Sequence, residues 1–203
     1  MPLVKRGGAA RPEAREEPLA GQEADQALRD PDATRRRAAA LGWGEGADPA
    51  PLAKALAVER DPRVREALVT ALIRLGAAGE VVPFLRSADA GLRAAAVEVL
   101  QCLPEQAFPH LPRLLADPDP DVRILAAEAV RTQPAERATE LLSHALEREA
   151  HPSACATAVD VLAELGTPDA APALRAVAAR FGSDPFLPFA VSAALARIGD
   201  ERG

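Results

Sequence analysis

The sequence predicts an all-α chain in which helix-turn-helix repeats stack into a solenoid. Aromatic residues make up only 3% of the 203 residues, with no Tyr and one Trp, whereas Ala is about a quarter of the chain. Strands favour aromatic and β-branched side chains, so an all-β fold is excluded and a core of small, closely approaching helices is implied. Similar segments begin at Asp61, Ala88, Asp119, Ala150 and Ser183. Val64, Leu92, Val122, Ala154 and Leu187 hold equivalent places in them, at steps of 28, 30, 32 and 33 residues. A period of that length marks a repeat architecture.

The elements follow in order. Asp30-Pro31 opens a first repeat whose helix, residues 34–41, is short and Arg-rich and is followed by Gly42, Gly44 and Gly46. A terminal repeat caps the stack and is expected to be atypical, with Trp43 closing that end of the core. In the second unit Val64, Ala67, Leu68, Ala71, Leu72 and Leu75 follow the i, i+3, i+4 spacing of an amphipathic helix. Asp61 is placed to accept backbone N–H groups, and Pro62 loses no needed donor in the first turn. Gly76, Gly166 and Gly199 stand where a left-handed residue ends a helix. A second helix is predicted in each unit, over residues 50–58, 80–86, 107–115, 136–147 and 170–180. Pro51, Pro83, Pro109 and Pro172 fall in its first turn, where proline is tolerated. Pro112 predicts a late start or a bend in the third. The last unit has only its first helix, residues 185–198. Residues 1–21 lack apolar periodicity and read as a disordered tail, including the apolar-basic start at residues 2–6; residues 22–203 read as the solenoid.

The bulk chemistry removes several function classes. The net charge is −6 and the pI about 5.2, against the basic excess a nucleic-acid binder carries. No apolar run approaches the ~18–20 residues that cross a bilayer, so no membrane segment is expected. Acidic and basic residues fill the place where a secretory signal would need its apolar stretch. Cys102 and Cys155 form no CxxC pair and no disulfide framework, and both read as small buried core residues in a reducing cytoplasm.

The run Asp117-Pro118-Asp119-Pro120-Asp121-Val122-Arg123 resembles HEAT repeats in their short bacterial form, the phycobilin-lyase-type HEAT-like repeats. Residues 61–76 resemble that consensus closely, and residues 150–166 do so without the Val-Arg pair. The resemblance covers about residues 30–199 and implies a right-handed α-solenoid of about five and a half repeats. It also implies that the Arg after the Val bonds to the neighbouring repeat. Arg65, Arg93 and Arg123 hold that place; Cys155 and Pro188 replace it later, so the ladder is expected to be interrupted there. The second helices of such solenoids line the concave groove.

Aligned by their prolines, Lys54, Arg86 and Arg175 are equivalent, Arg113 is one position out of register, and the fourth unit offers Ser143 and His144. This broken positive stripe suits an acidic peptide or helix. Lys54, Arg86, Arg113, His144 and Arg175 are therefore the candidate binding residues. No catalytic residue, metal site or cofactor is expected. His110, His144 and His151 form no HExxH pattern, and the His-Glu dipeptides of HEAT-repeat iron hydroxylases are missing. His151 stands four residues before Cys155, yet its place at a helix start argues for a structural role. One Trp, no Tyr and a negative charge exclude the DNA-glycosylase activity of some helical-repeat proteins. The reading is a non-catalytic protein-binding scaffold or adaptor, cytoplasmic, in a bacterial signalling complex. The alternative implied by the repeat type is an accessory subunit of a chromophore lyase or another cofactor-maturation enzyme. Oligomeric state is open, since the last helix leaves an apolar edge that a second copy can cover.

Overall fold

The first helices start where a short polar side chain meets proline or a small residue. Asp61, Asp89 and Asp119 each accept the N–H two residues ahead, at 2.9, 2.7 and 2.9 Å. The computed structural model describes residues 22–199; the expected disordered tail, residues 1–21, lies outside the described residues. In chain order the helices are α1 (Gln22–Ala27), α2 (Ala33–Leu41), α3 (Ala50–Val58), α4 (Pro62–Arg74), α5 (Ala78–Val81), α6 (Ala90–Cys102) and α7 (Pro104–Ala107). Then come α8 (Leu111–Leu115), α9 (Pro120–Ala129), α10 (Ala135–Arg148), α11 (Pro152–Leu165), α12 (Ala171–Arg180) and α13 (Leu187–Arg197). Short 3₁₀ turns extend α5 (Val82–Arg86), join α7 to α8 (Phe108–His110), end α9 (Val130–Thr132) and lead into α12 (Pro168–Ala170).

Two layers result. The first helices α2, α4, α6, α9, α11 and α13 pack one on the next, and the second-helix segments α3, α5, α7–α8, α10 and α12 form the other layer. Each second-helix segment packs against the first helix that follows it: α3 on α4, the 82–86 turn on α6, α8 on α9, α10 on α11 and α12 on α13. Neither layer can bury its apolar stripe alone, so a single core runs the length of the stack. Leu52, Leu72, Leu100, Leu142, Leu162 and Leu174 are fully buried along it. Trp43 is buried at the first repeat as expected, its indole N–H donating to the Asp48 carbonyl at 3.1 Å.

Four expectations need correction. The second segment of repeat two is not one helix: α5 gives way to a 3₁₀ turn holding Pro83, because proline supplies no N–H to continue the α ladder. The third starts earlier than predicted, at Pro104, and breaks at Phe108–His110; Pro112 is then accommodated because α8 restarts at Leu111. Gly76 and Gly199 adopt the expected positive φ, but Gly166 does not. Gly166 has φ −67° and ψ 152°, and a Cβ there would lie 2.5 Å from the Leu162 carbonyl oxygen. Glycine is needed at that position for a close approach, not for a left-handed turn. Finally, Cys155 is buried but Cys102 is exposed, because it occupies the last turn of α6.

Truncating Leu72, Leu100 or Leu162 to Ala is expected to lower unfolding free energy by about 2–5 kcal/mol. Gly166→Ala is expected to cost about 1–3 kcal/mol by backbone overpacking, where an exposed Gly182→Ala is close to neutral. Urea denaturation followed by circular dichroism measures both.

Candidate binding groove on the second-helix face

A recurring polar junction joins the second helix of one repeat to the first helix of the next. Two residues before each helix-starting residue stands a side-chain acceptor: Asp30, Glu59, Ser87, Asp117 or Glu149. It takes the N–H of Asp32, Asp61, Asp89, Asp119 or His151 at 2.8–3.1 Å. The backbone carbonyl of that same acceptor residue receives an arginine from six residues ahead. Arg36, Arg65, Arg93 and Arg123 bond to the carbonyls of Asp30, Glu59, Ser87 and Asp117 at 2.9, 2.8, 2.7 and 2.7 Å. The ladder expected at Arg65, Arg93 and Arg123 therefore starts one repeat earlier, at Arg36.

At two junctions the arginine also forks onto the next repeat's carboxylate. Arg36 holds Glu59 at 2.8 and 3.0 Å, and Arg123 holds Glu149 at 2.7 and 2.9 Å. The Glu59 and Glu149 side chains are only 7% and 8% exposed, while their arginine partners, 19% and 18% exposed, keep part of the guanidinium in water. The Arg36 guanidinium holds the Glu59 carboxyl below the ordinary glutamate range against the opposing effect of burial. At Glu149 burial raises the pKa, and the Arg123 fork with the His151 N–H outweighs it, so the net shift is again downward. Arg65 instead reaches Asp89 at 3.3 Å.

As expected, the ladder changes at Cys155, but the position is not left empty. The Cys155 thiol lies 3.7 Å from the Glu149 carbonyl, the six-residue relation of the arginines. Burial pushes that thiol up, away from reactivity, with Arg180 beside it. Arg180 enters from α12 and donates to the Leu146 carbonyl at 2.7 Å, capping the end of α10.

Over the Arg123–Glu149 pair opens a groove of about 700 Å³ between α7–α8 and α10. Phe108, Pro112, Leu115, Leu141 and Ala145 supply its walls, Asp117, Arg123 and Glu149 its floor, and Glu140, His144 and Arg148 its rim. The floor is internally satisfied. Arg123 also donates to the carbonyls of Asp117 and Pro118, and Asp117 accepts from Arg86 and from the Asp119 N–H. A smaller groove of about 450 Å³ lies over the Arg36–Glu59 pair. Leu28, Asp30, Arg36, Lys54, Ala55 and Glu59 occupy there the places that Leu115, Asp117, Arg123, His144, Ala145 and Glu149 occupy in the larger one.

The five predicted residues are all exposed, yet they do not form one stripe. The second-helix segments run different distances from their prolines to the junction, so proline alignment misplaces them. Counted from the junction, Lys54 and His144 are equivalent, five residues before Glu59 and Glu149, and each lines its groove. Arg86 is the residue directly before its junction and is engaged with Asp117 of the next one. Arg113 stands on α8 beside Pro112, and Arg175 on α12, where neither lines the larger groove. His144 faces Glu147 at 3.5 Å. Ser143 is turned inward, with its hydroxyl buried. The carboxylates Glu59, Asp117 and Glu149 escaped sequence reasoning. Their signal was a polar residue two places before each helix start, in registration with the arginine six places on.

Arg123→Met leaves Glu149 buried without its partner and is expected to cost about 3–5 kcal/mol. Arg93→Met, which loses only carbonyl contacts, is expected to cost about 1–2 kcal/mol. Adding Glu149→Met to Arg123→Met is expected to recover most of the loss. Because the folded pKa values of Glu59 and Glu149 lie below the unfolded value of about 4.3, their stabilisation is present above that pH. It is lost as pH falls through the lowered values, so urea midpoints are expected to drop below about pH 4.3, and less steeply in Glu149→Gln.

Residues 80–154 match the family model described as HEAT repeats. No curated protein matches the sequence. Among solved structures the chain is similar to a designed armadillo repeat protein at 19% identity, over 90% of this chain and 100% of that one, with TM-score 0.45. A designed armadillo repeat protein in complex with peptide (KR)4 aligns at 20% identity over 87% and 98%, with TM-score 0.48. Computationally designed armadillo repeat proteins for modular peptide recognition align at 20% identity over 90% and 99%, with TM-score 0.45. The family match falls on the repeats that build the larger groove, and the helix pairs outside it stack through the same kind of junction, so the chain is an α-solenoid of helix pairs that in part resembles HEAT repeats.

Proposed function

We propose that this protein is a non-catalytic scaffold that binds a segment of a partner protein on its second-helix face. The segment seats in the groove between the third and fourth repeats. The observation that carries this reading is the groove's saturated floor beneath apolar walls. Arg123 is engaged with the Glu149 carboxylate and the Asp117 carbonyl, and the Asp117 carboxylate with Arg86 and the Asp119 N–H, so the floor's charges are already paired within the chain. An entering segment gains by burying an apolar side chain against Phe108, Leu115 and Leu141. The rim charges Glu140, His144 and Arg148 orient it.

In this reading Lys54 serves the equivalent first groove. Arg113 and Arg175 extend the face on either side of the larger one, and acidic residues of the partner meet Arg113 and Arg148. Arg86 contributes by holding Asp117, not by contacting the partner. The free thiol of exposed Cys102 fits a reducing compartment. The net charge of −6 supports a protein partner over a polyanion.

A photo-crosslinking residue in place of Ala145 identifies the partner, and the same residue in place of exposed Ala156 on α11 is the control. Ala145→Arg, which fills the groove, is expected to weaken binding of that partner at least tenfold while the melting temperature holds. Equal affinity for Ala145→Arg and wild type would sink the groove assignment.

A further inference from the structure

The last described helix carries a surface unlike that of any first helix before it. Phe186 and Phe189 are each 78% exposed, the most exposed large apolar side chains among the described residues. Asp184 accepts the N–H groups of Phe186 and Leu187, both at 2.9 Å, so it starts this helix as Asp89 starts α6. Counted from those starts, Phe186, Phe189, Ala193 and Ala196 hold a row of positions that carries at least one charged group on every other described first helix, Arg37 on α2 and Asp160 on α11 included. Arg63, Glu66 and Thr70 fill three of them on α4; Glu98 and Gln101 fill two on α6; Asp121, Glu128 and Arg131 fill three across α9 and its 3₁₀ end. Among the described first helices, only α13 has this row free of charge. Pro188 stands where Arg123 reaches Glu149, and exposed Ser192 stands where Val69, Ala127 and Val159 are buried on earlier first helices.

We infer that this face of α13 is a self-association surface that pairs two copies of the chain in antiparallel fashion. The row is large at its start and small at its end. A two-fold axis near Ser192 sets Phe189 of one copy between Ala193 and Ala196 of the other, and carries Phe186 to Ala196 and Gly199. Both ends then interdigitate, as helix packing requires. A parallel pairing would set phenylalanines on phenylalanines and leave the alanines apart. The same axis brings exposed Arg197 to the Asp184 turn of the other copy, matching opposite charges. A charged partner surface finds nothing to pair with along the uncharged row, whereas a second copy does. Each buried phenylalanine contributes about 150–250 Å². With the small residues, the two copies bury on the order of 1,000 Å², the low end of specific interfaces. The pairing is therefore a reversible dimer with a dissociation constant in the micromolar range.

Sedimentation equilibrium of the full chain, from about 5 to 500 µM, tests this. Wild type is expected to move from monomer to dimer across that range. Phe186→Glu/Phe189→Glu is expected to stay monomeric throughout, with an unchanged circular dichroism spectrum because both side chains are exposed; Phe186→Ser/Phe189→Ser replaces it if the charged variant loses structure. Ser192→Cys, made with Cys102→Ser, is expected to form an intermolecular disulfide on oxidation, whereas Thr70→Cys in the same background is not. A wild type that remains monomeric at all concentrations overturns the inference, as does a dimer that survives the phenylalanine substitutions. A dimer lost on those substitutions but not crosslinked through Ser192→Cys overturns the antiparallel arrangement.

Discussion

The contact on which the rest of the molecule depends is a carbonyl group at the end of each second helix. In a solenoid every repeat touches only its neighbours, so no distant contact corrects an error in the angle between them. That angle is held at the junction. The acceptor residue uses its side chain to hold the next helix start and its carbonyl to hold an arginine six places on. One residue thus satisfies two backbone demands that would otherwise be orphaned at a helix boundary. Where Ser87 takes the place of a carboxylate, the same geometry persists with weaker partners. Where Cys155 takes the place of arginine, Arg180 supplies a guanidinium from the second helix of the same repeat.

The grooves follow from the same contact. An arginine that forks onto a glutamate of the next repeat forms a flat, neutral floor between neighbouring second helices. Apolar residues of those helices then stand above it as walls. This happens at Arg36–Glu59 and at Arg123–Glu149, which is why two grooves separated by three repeats share one construction. In the proposed binding role, structural stabilisation and binding surface are not separate features: the pair that joins the repeats also forms the floor of the groove.

The repeats and their helix starts were legible in the residues because each depends on local chemistry. Asp61-Pro62 and Asp119-Pro120 mark helix starts whatever surrounds them, and the apolar spacing of Val64, Leu68 and Leu72 specifies a buried helix face. The groove was only partly legible. Lys54 and His144, both expected on this face, line the two grooves, but Lys54 was aligned with Arg86 and Arg175 through prolines at the starts of segments of unequal length. The registration that matters is measured from the junctions at their ends. The interruption at Phe108–His110 and the 3₁₀ turn at Val82–Arg86 shift that registration, and neither is written in a simple period.

By itself the sequence determined the class of fold, the repeat boundaries and most of the buried apolar faces, since these follow from helix periodicity and capping; the ladder at Arg65, Arg93 and Arg123 was implied only by the resemblance to HEAT repeats, and Arg36 was not anticipated. Tertiary structure alone decided which charges are spent. Arg86 looks like a free surface cation until Asp117 is set beside it, and Glu149 looks like an ordinary linker residue until Arg123 reaches across to it. Charge pairing depends on distance in space between repeats about thirty residues apart. Likewise, Phe186 and Phe189 look like core residues by composition. Only the turn of α13 shows that the core is already filled by Leu187 and Val191, leaving both rings on the outside.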